Sequence, residues 1–463
     1  MKGTFSEGFL NEPKVWIGQW WVAGDERCRA SGRLIYDPGE AILLEIDGSL
    51  GASDNSTMVI HGRPGGLPVT VWVNTIPGSR SVGPNPSENG RFEYIYVATM
   101  ALAGMLVESQ SQVAFDSVAI EVEHLGSLLP DEMTALQFKL EDGEPSFALT
   151  EIDDLQAEVG DYRYSLIHQL VHSFVPERLT SSFVAYMRDQ PAILIEGEFS
   201  IANALEQARL VRSLVSFITG QRCGWLSLTL FDDDTLPAVS GCSLFMRFSP
   251  LGNPDAMDVG WSWNLFSLSD FPFDLLMPAW AATWAKYSAA CGMLFALRDT
   301  DETYPEHRLI SAVAAAEAMC GELGIKNRFG ASELKRIKKT IMDSIPPEHR
   351  CWVEEQIQPR YSLRLRLEKM YERLPEFVRS DLDMDVHQWI DPSVKARDEI
   401  AHQGRTVMAA TESNRLANIT EAVITLIIMH DLGCTEEQFS KSLHQSGRLR
   451  IKQVRQEASH GTE

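Results

Sequence analysis

The chain has 463 residues, of which 44% are hydrophobic and 23% charged, and its formal net charge at pH 7 is −23. A chain of this length exceeds one ordinary hydrophobic core, so it predicts a globular protein of two or three domains. It has no run of about 18 uncharged apolar residues and no apolar signal-peptide core at its N-terminus, which argues against a membrane protein and predicts a cytoplasmic one. The seven cysteines are scattered and form no CxxC pair, which argues against a disulfide framework and a zinc knuckle.

The acidic charge is concentrated in the N-terminal part of the chain. Residues 1–300 carry 18 Lys and Arg against 38 Asp and Glu, whereas residues 301–463 carry 23 against 26. Because Lys and Arg bind phosphate groups, the N-terminal part is an unfavourable surface for RNA and a better one for proteins or small ligands. The alternative, that the acidic charge only keeps the chain soluble, remains open.

Residues 15–150 contain short alternating apolar runs separated by Gly, Pro, Asn and Asp, which predicts antiparallel strands. The segment 79–91 is polar and rich in turn-forming residues, so it predicts a surface loop. The segment 62–66 precedes a strand rather than a helix, which indicates a turn and not a phosphate-binding loop. Three tryptophans of the first run either belong to the core or form a stacking surface for a sugar or a base: Trp16, Trp20 and Trp21.

Residues 156–300 show a mixed pattern of strands and helices. Helical apolar spacing covers residues 200–219 and ends at Gly220, and residues 271–298 also predict one helix. Four apolar runs in this part predict strands, at residues 182–187, 191–199, 224–231 and 242–248.

From Pro305 onward the strand pattern stops and six segments have helical spacing, at residues 305–324, 331–345, 348–357, 361–374, 391–404 and 411–433. The last segment carries an apolar stripe wide enough for a bundle core, formed by Leu416, Ile419, Val423, Leu426 and Ile427. The predicted fold is therefore α+β and multidomain, with a β-rich N-terminal region followed by an all-α helical bundle. Its predicted parts are a β-rich domain, a mixed αβ continuation, the bundle and a flexible polar tail, at residues 1–155, 156–300, 301–445 and 446–463.

An Arg-x4-His pair, Arg397 and His402, lies inside the helical region. Asp391 and Pro392 predict a helix start and Gly404 predicts its stop, which places His402 in the last turn of a short helix. The negative end of the helix dipole favours a protonated imidazole, and Arg397 supplies a charged fork suited to a phosphate oxygen. Residues five apart point about 140° away from each other on a helix, so whether one chain completes the site stays open.

Simpler roles for these residues also remain open. His402 is alternatively only a helix C-cap, and Arg397 only an ion-pair partner of Asp398 or Glu399. The spacing by itself does not distinguish a catalytic pair from these simpler roles, because a second Arg-x4-His pair occurs elsewhere in the chain.

That second pair, Arg163 with His168, is weaker because its surroundings define no helix end. His168 and His172 have the i, i+4 spacing of a two-histidine metal site but lack the glutamate and a third ligand, so two ordinary helix histidines are preferred and no metal site is predicted. A basic row in the segment 331–345 is either a solvated face or an RNA contact: Lys335, Arg336, Lys338 and Lys339.

The C-terminal part resembles a HEPN domain, whose ribonuclease motif is Arg, a polar residue, variable positions and His at a helix end, followed by a long apolar helix. Arg397, Asp398, His402 and the predicted helix over about 412–432 match this motif in type and order. Asp398 stands where the motif more often has Asn. Its carboxylate still accepts hydrogen bonds from Arg or His, but its charge repels a phosphate.

Within the HEPN superfamily the chain resembles the ApeA-like group in both of its parts. The C-terminal matches are Ala316-Glu317-Ala318, the stretch 361–367 and Leu432-Gly433. The N-terminal matches are the stretches 18–21, 31–34 and 44–49.

The resemblance implies a bacterial anti-phage protein of the abortive-infection type, in which a β-rich sensor region is fused to a toxic HEPN endoribonuclease. It implies a homodimer or higher homo-oligomer, a phage protein as trigger, and cellular RNA, tRNA above all, as substrate. The implied chemistry is metal-independent and needs no cofactor: His402 acts as general base or acid, Arg397 stabilises the phosphorane, and Asp398 assists them. The implied products carry a 2′,3′-cyclic phosphate and a 5′-OH.

Two other functions remain as alternatives. In one, the HEPN bundle is catalytically inactive and binds a protein or a nucleotide. In the other, the chain is a carbohydrate- or ligand-binding β protein with a helical dimerisation tail, and Trp20 and Trp21 form the binding surface.

Overall fold

The computed structural model describes residues 9–48, 50, 58–73, 78–82, 91–130, 136–141, 144–149, 153–177, 182–232, 241–247, 250–254, 256, 264–299, 304–325, 329–357, 361–382, 384–446 and 449. The chain forms two compact units, Met1–Pro278 (unit 1) and Ala279–Glu463 (unit 2). The four-part division of the sequence, with its breaks at residues 155, 300 and 445, stays a prediction.

The described part of unit 1 is built mainly from β-strands. The first eight are β1 Lys14–Val22, β2 Ala30–Tyr36, β3 Ile42–Asp47, β4 Met58–Gly62, β5 Val69–Val73, β6 Gly78–Val82, β7 Arg91–Ala103 and β8 Phe115–Val122. The others are β9 Leu136–Glu141, β10 Glu144–Leu149, β11 Leu155–Val159, β12 Tyr162–Glu177, β13 Ser182–Phe199, β14 Trp225–Phe231 and β15 Cys242–Met246. Strands β9 and β10 form a separate hairpin, and the other described strands belong to one sheet.

Strand β7 closes six strands of this sheet into a barrel. It pairs with β3 over residues 93–98 and with β5 over residues 98–103. Strands β3, β2, β1, β4 and β5 pair in that order, so both ends of the series meet β7. Trp20, Trp72 and Tyr96 are at most 2% exposed and contribute to the core of unit 1. Burying an aromatic side chain of this size stabilises the fold by about 2–3 kcal/mol.

Two of the three tryptophans of β1 belong to the core of unit 1, and the third is half-buried. Trp20 and Trp21 are buried, and Trp16 packs edge-on against Phe245 with ring centroids 5.1 Å apart. A Cβ added to Gly62 would lie 2.2 Å from the Trp20 ring, so the chain needs glycine at this approach. The core interpretation is confirmed for Trp20 and Trp21, and the alternative of a stacking surface, on which the carbohydrate-binding function depended, loses its basis.

Helix α1, Ile201–Thr219, packs against the part of the sheet that contains β8 and β13. The Ser200 hydroxyl accepts a hydrogen bond from the Asn203 N–H at 3.2 Å, and Gly220 ends the helix in the left-handed conformation with φ 71°. Both ends agree with the sequence prediction. The two runs predicted as separate strands around residue 190 are one strand, β13.

Two loop predictions of unit 1 have different outcomes. The segment after β4 is a turn as predicted, because Pro64–Gly66 forms one 3-10 turn. The segment 79–91 was expected to be a loop, but its residues 79–82 lie in β6, which pairs with the first residues of β7. The rest of the segment, residues 83–90, lies outside the described residues.

Unit 2 is helical throughout its described part. Its helices are α2 Phe273–Lys286, which begins in unit 1, α3 Ser288–Asp299, α4 Pro305–Glu322, α5 Ala331–Ser344, α6 Pro347–Gln356, α7 Leu363–Tyr371, α8 Glu376–Leu382, α9 Val386–Gln403, α10 Ala410–Asp431 and α11 Glu436–Gln445. Helices α4, α7, α9 and α10 pack around a common core. The apolar stripe of α10 is at most 3% exposed, as predicted: Leu416, Ile419, Val423, Leu426 and Ile427. Within the described residues, no helix has the length and apolarity needed to cross a bilayer.

Unit 2 departs from the sequence prediction in three places. Residues 271–298 form α2 and α3, which are separated at Tyr287, a fully buried residue whose hydroxyl donates to Asp431. Helices α8 and α11 were not predicted. Of the predicted tail, only Ser446 and Leu449 are described, and both are buried; the other tail residues lie outside the described part.

Candidate active site

Helix α9 carries the candidate catalytic residues Arg397, Asp398 and His402. It covers Val386–Gln403 and begins earlier than the predicted start at Pro392. The Asp385 carboxylate caps its N-terminus by accepting a hydrogen bond from the His387 N–H at 3.0 Å. The C-terminus is as predicted: Gly404 adopts φ 71° and its N–H donates to the Ile400 carbonyl at 2.9 Å.

Tertiary packing explains why α9 runs through Pro392. A proline has no N–H to donate, so the Gln388 carbonyl four residues earlier loses its helical partner. Arg415 of α10 donates to this carbonyl at 3.4 Å instead. Trp389 and Ile390, which precede the proline, are fully buried. The prediction of a helix that begins at Pro392 is therefore wrong, and the additional turns attach α9 to the bundle core.

Arg397 lies in an ion-pair network that joins three helices. One terminal nitrogen of its guanidinium donates to the Glu317 carboxylate of α4 at 3.3 Å, and the other donates to Asp398 at 3.2 Å. The other oxygen of Glu317 accepts from Arg366 of α7 at 2.6 Å. Two guanidinium groups therefore share one carboxylate, at the place where α4, α7 and α9 meet.

His402 is exposed on the last turn of α9. Among the described residues, no hydrogen bond or ion pair engages its imidazole, so both ring nitrogens are available to a substrate or to a second copy of the chain. Asp398 lies four residues earlier, which is the spacing that brings two side chains to one helix face. The structure thus leaves Arg397 inside the network and His402 in solvent.

The turn after His402 is held by Glu399. The Thr406 hydroxyl donates to the Glu399 carboxylate at 2.6 Å and accepts from the Met408 N–H at 3.2 Å. The hydrogen bond from Thr406 lowers the pKa of Glu399, and nearby Lys395 acts in the same direction. Glu399 therefore supports the end of the helix and is not a partner of Arg397, which pairs with Asp398 and Glu317 instead.

Sequence reasoning did not single out Glu317 and Arg366 as site residues. Both fall in stretches that carried the family resemblance, but neither stretch contains a spacing that indicates chemistry. The available signal was a charged residue that has apolar neighbours in its helix. Ala315 and Ala316 precede Glu317, Leu367 follows Arg366, and these three neighbours are buried in the structure. Such a residue either reaches solvent or pairs with another charge in the bundle.

The predicted basic row lies on α5. Lys335, Arg336 and Lys339 are exposed, Lys338 is half-buried, and no described side chain of α5 is buried. Helix α5 packs against α6, where Lys338 donates to a backbone carbonyl at 3.4 Å. Within the described residues, no hydrogen bond or ion pair connects the row to Arg397 or to its partners.

The second Arg-x4-His pair and the two-histidine candidate lie on strand β12. Arg163 is exposed on β12 and pairs with Glu158 at 2.8 Å and Glu196 at 3.7 Å. His168 and His172 lie on the same strand rather than on a helix, and four residues of strand separate their backbones by about 13 Å. No group of three or more His, Cys, Asp or Glu is placed to hold a metal in the part of the chain that the structure describes.

None of the seven cysteines, all of which are described, forms a disulfide, and most of them are buried. Cys223, Cys242, Cys291 and Cys320 are buried in the two units, as expected of small hydrophobic side chains. Burial raises the pKa of Cys320, the one nearest to the network, to about 12, so its thiol is protonated at neutral pH.

Two family models match the chain. Residues 15–280 match the model described as ApeA N-terminal domain 1, and residues 310–438 match the model described as Apea-like HEPN. The first match alone covers more than half of the chain, and the second contains all of α7, α9 and α10. No curated protein and no solved structure matches the chain.

Proposed function

Because the chain belongs to the ApeA family, whose C-terminal HEPN domain implies a nuclease of anti-phage defence, we propose that it is a metal-independent endoribonuclease acting through Arg397 and His402. The observation that supports this site most strongly is the position of both residues on the last turns of α9, within the segment that matches the HEPN model. The substrate is cellular RNA, tRNA above all, and the protein is cytoplasmic.

The reaction is a transesterification within the RNA. His402 removes the proton from the ribose 2′-OH, whose oxygen attacks the adjacent phosphorus, and the bond from phosphorus to the 5′-oxygen breaks. Arg397 stabilises the charge on the phosphorane, and the departing 5′-oxygen takes up a proton from an imidazole. The products are a 2′,3′-cyclic phosphate and a 5′-OH. Because the nucleophile is the 2′-OH, DNA is not a substrate.

Two copies of the chain complete the site in this proposal. Arg397 is hydrogen-bonded to Glu317 of α4, whereas His402 is exposed and has no partner among the described residues. Two imidazoles, one from each copy, supply the base and the acid that the reaction needs at the same time. The exposed basic side chains of α5 contact the RNA backbone outside the reacting phosphate.

The acidic unit 1 receives the trigger in this account. Residues 1–300 carry an excess of 20 acidic side chains, so their surface repels RNA and suits a protein partner, such as a phage protein. Without the trigger, the full-length protein then cleaves RNA more slowly than the triggered protein does.

A catalytically inactive HEPN module that binds protein or nucleotide is the second candidate. It is favoured by the ion pairs of Arg397, because both terminal nitrogens of its guanidinium already donate to carboxylates, those of Glu317 and Asp398. One cellular experiment distinguishes the two candidate functions. If the protein is a nuclease, its overproduction is toxic and His402→Ala abolishes the toxicity; if it is a binding module, the variant and the wild type have the same effect on growth.

A further inference from the structure

The Glu317 network differs from the Arg308–Glu421 ion pair of the same bundle in how its carboxylate is shared. Arg308 of α4 pairs with Glu421 of α10 at 2.9 Å, one guanidinium to one carboxylate. Arg366 and Arg397 instead share the single carboxylate of Glu317, one on each oxygen. Two guanidinium groups therefore face the carboxylate of Glu317 at the junction of the three helices, and the second negative charge of the network comes from Asp398.

Asp398 supplies this second negative charge from a more exposed position. Its carboxylate contacts Arg397 at 3.2 Å, but its side chain is 54% exposed, and water screens an ion pair of this kind to about 0–1 kcal/mol. The side chains of Arg366, Arg397 and Glu317 are 25%, 35% and 22% exposed, so they are less solvated than Asp398 and still reachable by a ligand.

Donor groups remain at this junction. A guanidinium has five N–H donors in a planar fork. The hydrogen bonds described above use one terminal nitrogen of Arg366 and two of Arg397. The Nε–H of Arg366 is buried and has no hydrogen-bond partner among the described residues. An anion with several acceptor oxygens, such as a phosphodiester, matches the donors that are left.

We propose that Arg366 is a second phosphate-binding residue of the site, and that Glu317 is a positioning residue that holds Arg366 and Arg397 side by side. Each oxygen of Glu317 fixes one guanidinium, so the two forks contact the same RNA phosphate from α7 and α9. This inference rests on the proposed ribonuclease function and adds a phosphate ligand from the same chain that the Arg-x4-His spacing does not contain.

A purely structural role for the network predicts different behaviour. Half-exposed ion pairs contribute about 0–1 kcal/mol each, so a structural Glu317 would affect thermal stability slightly and RNA affinity not at all. A phosphate-binding Arg366 changes the salt dependence of RNA binding, which stability does not alter.

The test uses the full-length protein, an RNA oligonucleotide and its 2′-O-methyl analogue, which binds but has no free 2′-OH to react. Arg366→Ala is expected to lower kcat/KM by about 100-fold, as the loss of one charge-stabilising donor does. It also lowers the slope of log K against log salt for the analogue by about 0.7, the value of one phosphate contact on a single strand. Glu317→Gln keeps this slope but lowers kcat about tenfold, because the guanidiniums are no longer held together.

Arg308→Ala and Glu421→Gln are the matched controls, since they remove an ion pair of similar exposure in the same bundle. They are expected to keep both the cleavage rate and the salt slope. The proposal is overturned if the controls lose as much cleavage rate and salt slope as Arg366→Ala. It is also overturned if Arg366→Ala cleaves and binds RNA like the wild type.

Two further outcomes are also decisive. If Arg366→Ala does not fold, Arg366→Lys replaces it, because lysine keeps the charge without the fork. A normal salt slope with kcat/KM lowered about tenfold or more then supports the proposal, and a wild-type rate contradicts it. If the wild type cleaves no RNA, the proposed function fails, but the salt slope of the analogue still decides whether Arg366 contacts phosphate.

Discussion

The hydrogen bond between Trp389 and Thr420 is expected to hold helix α9 on the bundle. The indole N–H of Trp389 on α9 donates to the Thr420 hydroxyl on α10 at 2.9 Å, and both residues are fully buried. Thr420→Val keeps the shape of the side chain but leaves the indole N–H buried without an acceptor. An unmade buried hydrogen bond costs about 1–3 kcal/mol. For a unit of this size, about 2 kcal/mol lowers Tm by about 4–8 °C.

Differential scanning calorimetry of the full-length protein measures this shift. Thr425→Val is the matched control, because Thr425 is equally buried on α10 but donates only to the Glu421 carbonyl within its own helix. It is expected to change the free energy of unfolding by less than about 1 kcal/mol. Equal Tm values for the two valine variants would refute the reasoning, because the indole bond would then contribute nothing.

Three further predictions concern activity, pH and domain organisation. Arg397→Ala and His402→Ala each lower RNA cleavage by about 100-fold or more without unfolding the protein, and Arg163→Ala does not; cleavage that survives both substitutions in α9 contradicts the site. Burial raises the pKa of Asp431, but hydrogen bonds from Lys286 and Tyr287 outweigh burial and hold it below its ordinary value of about 3.9. Asp431 therefore stabilises the fold above about pH 4, and this contribution is lost as the pH falls through the lowered pKa. Denaturant unfolding from pH 7 to 3 is expected to show a steeper loss of the free energy of unfolding for the wild type than for Asp431→Asn. Equal slopes of this free energy against pH would exclude the linkage. The fragment 279–463 is expected to dimerise and to cleave RNA faster than the full chain. Unlike a fragment that begins at residue 301, it keeps Tyr287 and its hydrogen bond to Asp431. A folded dimer with lower activity would show that unit 1 is needed for catalysis and does not restrain it.

Local signals predicted the ends of several elements correctly, because the groups that end a helix are close in sequence. Ser200 caps the start of α1, Gly220 ends it, and Gly404 ends α9. The hydrogen bonds involved span only a few residues. A similar signal at α11 was missed: Thr435 and Gln438 form a capping box three residues apart. The resemblance to the ApeA-like group with a C-terminal HEPN domain is confirmed for both parts of the chain.

The start of α9 was predicted wrongly because a local signal competed with tertiary packing. An Asp-Pro pair is a strong helix start, but the burial of Trp389 and the bond from Arg415 to Gln388 favour continuing the helix through Pro392. No residue near the proline in sequence indicates the Arg415 contact, since Arg415 belongs to the next helix.

The partners of Arg397 were beyond the reach of the sequence pattern. Glu317 lies 80 residues before Arg397, and Arg366 lies 49 residues after Glu317. Helical periodicity shows which face of each helix is apolar. It does not show which helices contact each other, or at which positions along their axes. The candidate pair itself was visible because both of its members lie on one helix.

The chemical form of the RNA ends made by the purified protein in EDTA tests the central claim most directly. The account predicts that total RNA or tRNA is cleaved in the presence of the chelator, that mass spectrometry finds 2′,3′-cyclic phosphate and 5′-OH ends, and that His402→Ala produces neither. Cleavage that requires a divalent ion and leaves 5′-phosphate and 3′-OH ends would contradict it, because a metal-activated water would then be the nucleophile instead of the ribose 2′-OH.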